Sequence, residues 1–336
     1  MMKAAVFDGK EIKIKNVDDP IINDSQVLVR IKAVGICGTD LAIMRGDLPT
    51  PTPIVLGHEL AGKVVRIGKD VEKSWINKRV VSEINSNIDF NCYYCKRGLY
   101  SQCQSRKAIG IDIDGALAEY IALESYLLHE IPDSFPYDAA TFIEPLAAAY
   151  QIFELMPIDK KDKIMAIFGL GKLGLLITQV ALSKNLELIA IDGSDYKLQL
   201  AKEYGAHHII NRLKQKNIQE KIKKLTNNLG ADIVIDASGN PNALKDVIAS
   251  CRTRGKIHFK STHGIDTPIN LTDIVVRELT LYSSRCGPFD KAIEGLKSGR
   301  IKVDKLISKQ YNLEDIMKAF SSFKEKNDYI KTIIHI

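Results

Sequence analysis

Short apolar runs alternate with polar positions through the first 140 residues: KAAVF, EIKIK, SQVLVRIKAVGI, GKVVRIG, KRVVSEI and GALAEYIAL, with Gly, Pro, Asp and Asn between them. A period of two bounded by turn formers predicts strands, because successive side chains of a strand point to opposite faces. This part reads as an all-β body. Near Phe142 the spacing lengthens, and IEPLAAAYQIFELM predicts a helix. From Asp162 to about Leu281 the strand-like KIMAIFG, LELIAID, HHIIN, ADIVIDASG, GKIHFK and ELTLYSS take turns with the helical KLGLLITQVALSKN, YKLQLAKEYG, IQEKIKKLTNNLG and ALKDVIASCRTRG. Such alternation predicts a doubly wound parallel sheet, that is, an α/β unit. Beyond it DKAIEGLKSGRI and LEDIMKAFSSFKEK read as amphipathic helices, and KTIIHI as a last strand. The expected organisation is a β-rich domain from residues 1–145 and 284–336, with the α/β unit, residues 146–283, inserted.

Composition narrows the partners. The 336 residues are 45% hydrophobic, enough for two cores, and the 26% that are charged are mixed in sign. A net charge of +6 is mild, and its densest cluster, KIKK at 221–224, reads as a solvated helix face, so no nucleic-acid partner is expected. No run approaches the ~18 apolar residues of a membrane span. The start, MMKAAVFDGKEIKIK, breaks into charge too soon for a signal peptide, so a cytoplasmic location is expected. Three of the six cysteines crowd into residues 92–103, which in a reducing compartment points to metal binding.

The strand-like IMAIF meets Gly169-x-Gly171-x-x-Gly174, with Leu170, Lys172 and Leu173 between the glycines, and Asp192 follows 21 residues after Gly171. Gly169 permits a tight strand-to-helix turn, Gly171 a close backbone approach to a pyrophosphate, and Gly174 close packing of helix on strand. The helix N-terminus offers free N–H groups to phosphates. Asp192 would accept hydrogen bonds from an adenine-ribose diol and repel a 2′-phosphate, so NAD is expected over NADP. The residues after it, GSDYK, bring no Arg beside the acid.

In the β-rich part, Cys37 in GICGTD, His58 in GHELAGKVVRIG and Glu144 in FIEPLAAA offer a thiolate, an imidazole and a carboxylate, a set able to hold zinc with one position open. Glu59, beside His58, is an alternate ligand or a support for one. Singly each has an ordinary reading: a lone Cys is often a small buried hydrophobe, and Glu144 could cap a helix. The three lie far apart in sequence, and spacing alone leaves both readings open.

GICGTD, GHELAGKVVRIG, GALAEYI, EPLAAA, GLGKLG and IDGS stand in the same order as in the medium-chain zinc-dependent alcohol and polyol dehydrogenases, and the chain resembles that family over essentially its whole length. The resemblance implies a GroES-like catalytic domain with an inserted Rossmann domain, the site in the cleft between them, and a homo-oligomer, dimer or tetramer. It implies that Cys37, His58 and Glu144 match the catalytic-zinc ligands, and that Thr39 matches the hydroxyl that hydrogen-bonds the substrate alcohol. A Glu in the EPL motif resembles the polyol, threonine and glucose dehydrogenase branch, so an alcohol, polyol, sugar or amino-alcohol substrate is expected. Cys92, Cys95 and Cys103 match three ligands of the family's structural zinc lobe; Asp89 stands where the first Cys usually does, and a carboxylate oxygen can replace it. Many relatives read CGTDxH, with the His relaying a proton; here Ala42 occupies that position. Lys197 and Ser238, with its neighbours Ala237 and Gly239, resemble residues near the cofactor riboses, and Ser261 with Ser283–Arg285 should face the nicotinamide.

The implied chemistry is hydride transfer to NAD from an alcohol whose pKa a Lewis-acidic zinc has lowered. Two other readings compete. A zinc-independent quinone or enone reductase would generally lack the Cys37 and His58 pair. A non-catalytic dinucleotide-binding relative would keep the glycines and lose the ligands; both sets are present here.

Overall fold

The computed structural model describes residues 1–262, 264–324 and 328–336. Its β-rich part is organised on the strand Gln26–Gly35, seven of whose ten residues are buried. That strand pairs antiparallel with Glu59–Ile67, from Val27 opposite Ile67 to Gly35 opposite Glu59, and also with Tyr120–Glu124. The terminal strand Lys331–His335, expected from KTIIHI, pairs antiparallel beside it, with Ile333 opposite Gly35. An N-terminal strand, Gln26–Gly35, and the last strand of the chain thus belong to one sheet. A smaller sheet of Ile12–Val17, Met2–Phe7 and Ile54–Val55 stands with it.

The first 140 residues are not all β. A helix, Gly38–Arg45, follows the strand Gln26–Gly35, and a short one occupies Tyr137–Ala140. The first is set by its ends and not by an apolar stripe. The Asp40 carboxylate accepts from Cys37 N at 2.7 Å, and Gly46 at φ 81° turns the chain out of the last turn. Such caps satisfy backbone groups that a helix end leaves unpaired.

The second part is a six-stranded sheet in the order His208–Asn211, Glu187–Asp192, Ile164–Phe168, Ala231–Asp236, Cys251–Phe259, Thr280–Ser283, with every neighbouring pair parallel. Helices cover both faces of such a sheet, which is why its central strands read as unbroken apolar runs. The strand order reverses between Ile164–Phe168 and Ala231–Asp236, and that switch point opens a crevice at the carboxyl ends of the strands. The fold is therefore β-rich plus α/β, as the pattern predicts. One boundary differs: CRTRG, read as a helix end, already belongs to the strand Cys251–Phe259. Cys251 pairs with Ala231, and Arg252 Nε binds Asp232 Oδ1 at 2.5 Å, which ties this segment to its neighbour strand.

The helix Ile143–Leu155 joins the two parts. Ile143, Leu146, Ala147 and Ile152 lie in one continuous core with Ala33, Ala61 and Val81 of the β body and Met165, Ile167 and Leu175 of the α/β unit. Each fully buried large aliphatic side chain contributes about 1.5–3 kcal/mol, so this junction is packed like an interior, and Glu144 near its start is held between the two parts. Near the C-terminus, LEDIMKAFSSFKEK forms a 3-10 turn, Leu313–Asp315, then a helix, Ile316–Ser321; Glu325 and Lys326 fall outside the described residues. Among the described residues no helix is long and apolar enough to cross a membrane.

Candidate active site and metal centres

Cys37 is the N-cap of the helix Gly38–Arg45, so the chain's exit from the sheet fixes the thiol, and Thr39 lies in the first helical turn. The Cys37 thiol donates to Thr39 Oγ1 at 3.7 Å. Asp40, fully buried, accepts from Cys37 N at 2.7 Å and from Gly57 N at 3.3 Å, and its Oδ1 stands 3.7 Å from His58 Nδ1. One carboxyl therefore holds the thiol segment by a hydrogen bond and faces the imidazole. Asp40 was missed in the sequence; the signal was its place three residues after an N-cap, where acids reach back to the backbone.

Ligand atoms of Cys37, His58 and Glu59 lie within 4.8 Å of one another. His58 is 4% exposed, and its Nδ1 has no hydrogen-bond partner. Burial works to lower its pKa, but the anions around it, Asp40, Cys37 and Glu144, raise it to about 10. Thiol, imidazole and carboxyl groups gathered this closely form a set that a divalent cation would hold together. The donor set, one S, one N and carboxylate O, suits zinc.

Glu59 has other partners already. It is fully buried between the ammonium groups of Lys172 and Lys331, which both donate to its carboxylate. Burial alone would raise its pKa; the two lysines hold it down, to about 2. Lys331 is itself 0% exposed, donates to Thr141 O at 3.0 Å and lies over the Phe142 ring, 4.6 Å from its centroid. Gly35 makes the room, for a Cβ there would collide with Lys331 Nζ and Glu59 Oε2. Lys331 escaped the sequence reading because it looks like an ordinary strand-edge lysine. Glu144 lies outside the 4.8 Å group and has no ion pair among the described residues; burial raises its pKa, against the pull of His58.

The second cluster is Asp89, Cys92, Cys95 and Cys103, whose ligand atoms also lie within 4.8 Å of one another. Asp89 Oδ1 accepts from Asn91 N and Cys92 N at 2.8 Å each, and Oδ2 from Ser105 Oγ at 3.1 Å, so the loop wraps its carboxylate. These bonds hold Asp89 below the usual carboxylate range and backbone N–H groups lower Cys92, while burial and its thiol neighbours push Cys95 up to about 12. Burial and the neighbouring thiols thus disfavour the Cys95 thiolate in particular, a condition a bound cation relieves. Around it Phe90, Tyr93, Leu99 and Tyr100 are exposed, so the lobe has little core of its own. The chemistry fits a zinc that staples the loop. Cys95→Ser is expected to lower the thermal midpoint of zinc-replete protein by roughly 5 °C or more, and to leave chelated protein close to chelated wild type. Calorimetry on both states checks this; equal loss in both would mean that the thiol packs without binding metal.

The glycine turn behaves as the motif requires. Gly169 has φ 89°, and a Cβ there would collide with Ser238 Cα. A Cβ on Gly174 would collide with Gly169 O, whereas one on Gly171, the N-cap of the helix Lys172–Leu182, would meet nothing within 4 Å. The open face at Gly171 is the cradle a pyrophosphate needs. Asp192, at the end of its strand, accepts from Leu170 N at 2.7 Å and Ser194 N at 2.9 Å, which fixes the carboxylate and leaves lone pairs for a diol. Lys197 is half-buried near it; burial lowers its pKa and Asp192 raises it. Leu173 packs on the shared core, and Lys172 turns to Glu59. The Ser238 hydroxyl is spent within its loop, donating to Asp236 Oδ1 at 2.7 Å and accepting from Asn240 N at 3.1 Å. Ser261 Oγ accepts from Gly239 N at 2.9 Å.

Residues 23–133 match the family described as "Alcohol dehydrogenase GroES-like domain", and residues 173–298 the one described as "Zinc-binding dehydrogenase". A sorbitol dehydrogenase of Bacillus subtilis (strain 168) is 32% identical over 345 residues, 99% of this chain and 97% of that protein. A D-arabitol-phosphate dehydrogenase of Enterococcus avium is 32% identical over 94% of this chain and 91% of that protein. Among solved structures, a Sinorhizobium meliloti 1021 protein described as a zinc-binding dehydrogenase, bound to NADP, has a TM-score of 0.91 at 28% identity, covering 100% of this chain and 99% of that one.

Proposed function

Because the chain belongs to the medium-chain zinc-type alcohol and polyol dehydrogenase family, we propose that Cys37, His58 and Glu144 hold a catalytic zinc beside an NAD site and that Thr39 carries the substrate proton. The enzyme is an alcohol or polyol oxidoreductase that uses a nicotinamide dinucleotide. One observation carries the assignment of the site. Lys172, the first residue of the helix that follows Gly171, ion-pairs with Glu59, the neighbour of His58, so the dinucleotide turn and the metal-ligand group meet across one cleft.

When bound, the metal supplies a Lewis acid that lowers an alcohol's pKa, and the dinucleotide supplies the hydride acceptor. This chain's residues do the rest. Asp40 fixes the Cys37 segment and lies beside His58 as its nearest carboxylate. Lys172 and Lys331 hold Glu59 as a paired anion, which leaves Glu144 as the carboxylate free to ligate. Thr39 Oγ1, next to the Cys37 thiol, accepts the alcohol proton. Ala42, buried, stands where relatives have a relaying His, so the proton's onward path from Thr39 does not run through a side chain at that position. Asp89, Cys92, Cys95 and Cys103 hold the structural zinc, and Lys197 and Ser238 line the ribose side.

NAD is the preferred cofactor, set by Asp192. Charge repulsion and lost diol hydrogen bonds amount to a few kcal/mol, on the order of 100-fold in kcat/KM against NADP. Asp192→Ala should narrow that ratio mainly by weakening NAD. An NAD-reduction screen over secondary alcohols, polyols, aldoses and threonine, run in parallel with NADP, tests both cofactor and reaction; equal turnover with the two cofactors would sink the role given to Asp192.

A homo-oligomer is supported by the sheet's edge. Thr280–Ser283 is a terminal strand, and near it Leu271, Val275 and Val276 are 63–73% exposed, a surface a second copy would cover. A cytoplasmic setting is supported by the thiol cluster, which a reducing compartment keeps free to bind metal.

A further inference from the structure

Three cations, Lys260, Arg285 and Arg106, lie near one another where the two parts meet, with Asp112 and Glu144 the acids close enough to act on them. Lys260 lies just past the strand Cys251–Phe259 and Ser284 just past Thr280–Ser283, so both sit at carboxyl ends of adjacent parallel strands, where open α/β sheets bind ligands. Lys260 is 8% exposed, and among the described residues its ammonium donates to neutral groups, Ser284 O at 2.8 Å and Ser284 Oγ at 3.0 Å. Arg285 follows directly and is exposed. Arg106 reaches in from the opposite part: its guanidinium donates to Asn85 Oδ1 at 3.4 Å, and Asn85 Nδ2 donates to Cys286 Sγ at 3.2 Å. Among the described residues none of the three cations has a carboxylate within 4.0 Å, whereas the buried Lys256 and Lys331 each do.

The groups feel one another. Burial lowers Lys260 to about 8, with Arg285 adding to the shift and Glu144 and Cys286 opposing it. Burial and Arg285 likewise lower Arg106, while Asp112 opposes the shift. Glu144 is thus the nearby anion that steadies Lys260, and it is also the carboxylate assigned above to the metal.

We infer that the cluster of Lys260, Arg285 and Arg106 binds an oxyanion carried by the substrate, so that the alcohol oxidised here is a phosphate monoester or a carboxylate and not a neutral polyol. Guanidinium forks match both groups in geometry. The cofactor's own phosphates do not account for the cluster. Asp192, at the adenosine end, ends a strand three places away in the sheet, roughly 15 Å at the usual strand spacing, and the pyrophosphate turn at Gly171 belongs to the strand between. Similarity to both a sorbitol and an arabitol-phosphate dehydrogenase leaves the question open; the three unpaired cations decide it.

The inference rests on the alcohol-oxidoreductase reading, so its test has an arm that does not need turnover. Sorbitol, sorbitol 6-phosphate and gluconate are compared as substrates with NAD on zinc-loaded protein, for wild type and for Arg285→Gln, an exposed position whose change spares the core. One of the two anions is expected to exceed sorbitol in kcat/KM by about 10-fold or more, and which one identifies the phosphate or the carboxylate. Arg285→Gln should cut that preference roughly 10–100-fold, the effect of losing a charged hydrogen bond, and mainly through KM. Sorbitol used as well as either anion, or a preference untouched by the substitution, would overturn the inference. In the second arm inorganic phosphate is titrated calorimetrically into the zinc- and NAD-loaded protein. Binding in wild type that is lost in Arg285→Gln supports the cluster even if no alcohol in the set is oxidised, in which case the substrate reading fails alone. No binding, or equal binding in both proteins, overturns the anion site.

Discussion

Cys37→Ser protein is expected to fold, to bind NAD, and to turn over alcohol at less than about a thousandth of the wild-type rate. Lewis-acid assistance is worth several kcal/mol at the transition state, and each 1.36 kcal/mol is tenfold in rate. Serine keeps the N-cap role that Cys37 plays for the helix Gly38–Arg45, since hydroxyls cap well. Its oxygen is a poor substitute for a thiolate ligand. The fold should therefore survive while the metal-ligand set does not: circular dichroism and NAD affinity near wild type, zinc content lower by about one ion per chain. If the variant kept its zinc and most of its rate, Cys37 would have to be a capping residue and nothing more.

Thr39→Val should lose roughly 10²–10⁴-fold in kcat, the usual contribution of a positioned acid–base group. Valine matches threonine in shape, so the first helical turn and the Cys37 contact surface are retained while the hydroxyl is removed. Thr39→Ser, which restores an Oγ, should be mild. The two substitutions together separate proton transfer from packing. Steady-state rates with a deuterated alcohol check the assignment, because loss of the hydroxyl should leave hydride transfer isotope-sensitive while lowering the rate. A Thr39→Val enzyme near wild-type turnover would place the proton on another route.

How much was legible in the sequence follows from distance along the chain. The Gly169–Gly174 turn and Asp192 are local, and their geometry could be read from spacing because one strand, one turn and one helix set it. Cys37 and His58 are not local, but a single strand pairing brings them together: with Gly35 opposite Glu59, residues just beyond and just before that pair become neighbours. The β alternation allowed that pairing without specifying its register. Asp40 was hidden in a helix that the all-β reading missed, because capping and not periodicity defines it. Lys331 was out of reach, since its partner Glu59 is 272 residues away and only the sheet shared by the N-terminal strand Gln26–Gly35 and the last strand joins them. Lys172 was placed only within the dinucleotide turn, between its glycines, and a contact across the two parts pairs it with Glu59. Arg106, Lys260 and Arg285 come from three loops, which no periodicity connects.

The most direct test of the account is a zinc titration of metal-stripped protein, with NAD reduction and bound metal followed on the same sample, using the best alcohol from the screen. The account predicts saturation at about two zinc ions per chain, no turnover without metal, and activity that returns only with the ion that Cys37→Ser protein fails to take up. Full NAD reduction by protein holding less than about one zinc per chain would contradict it.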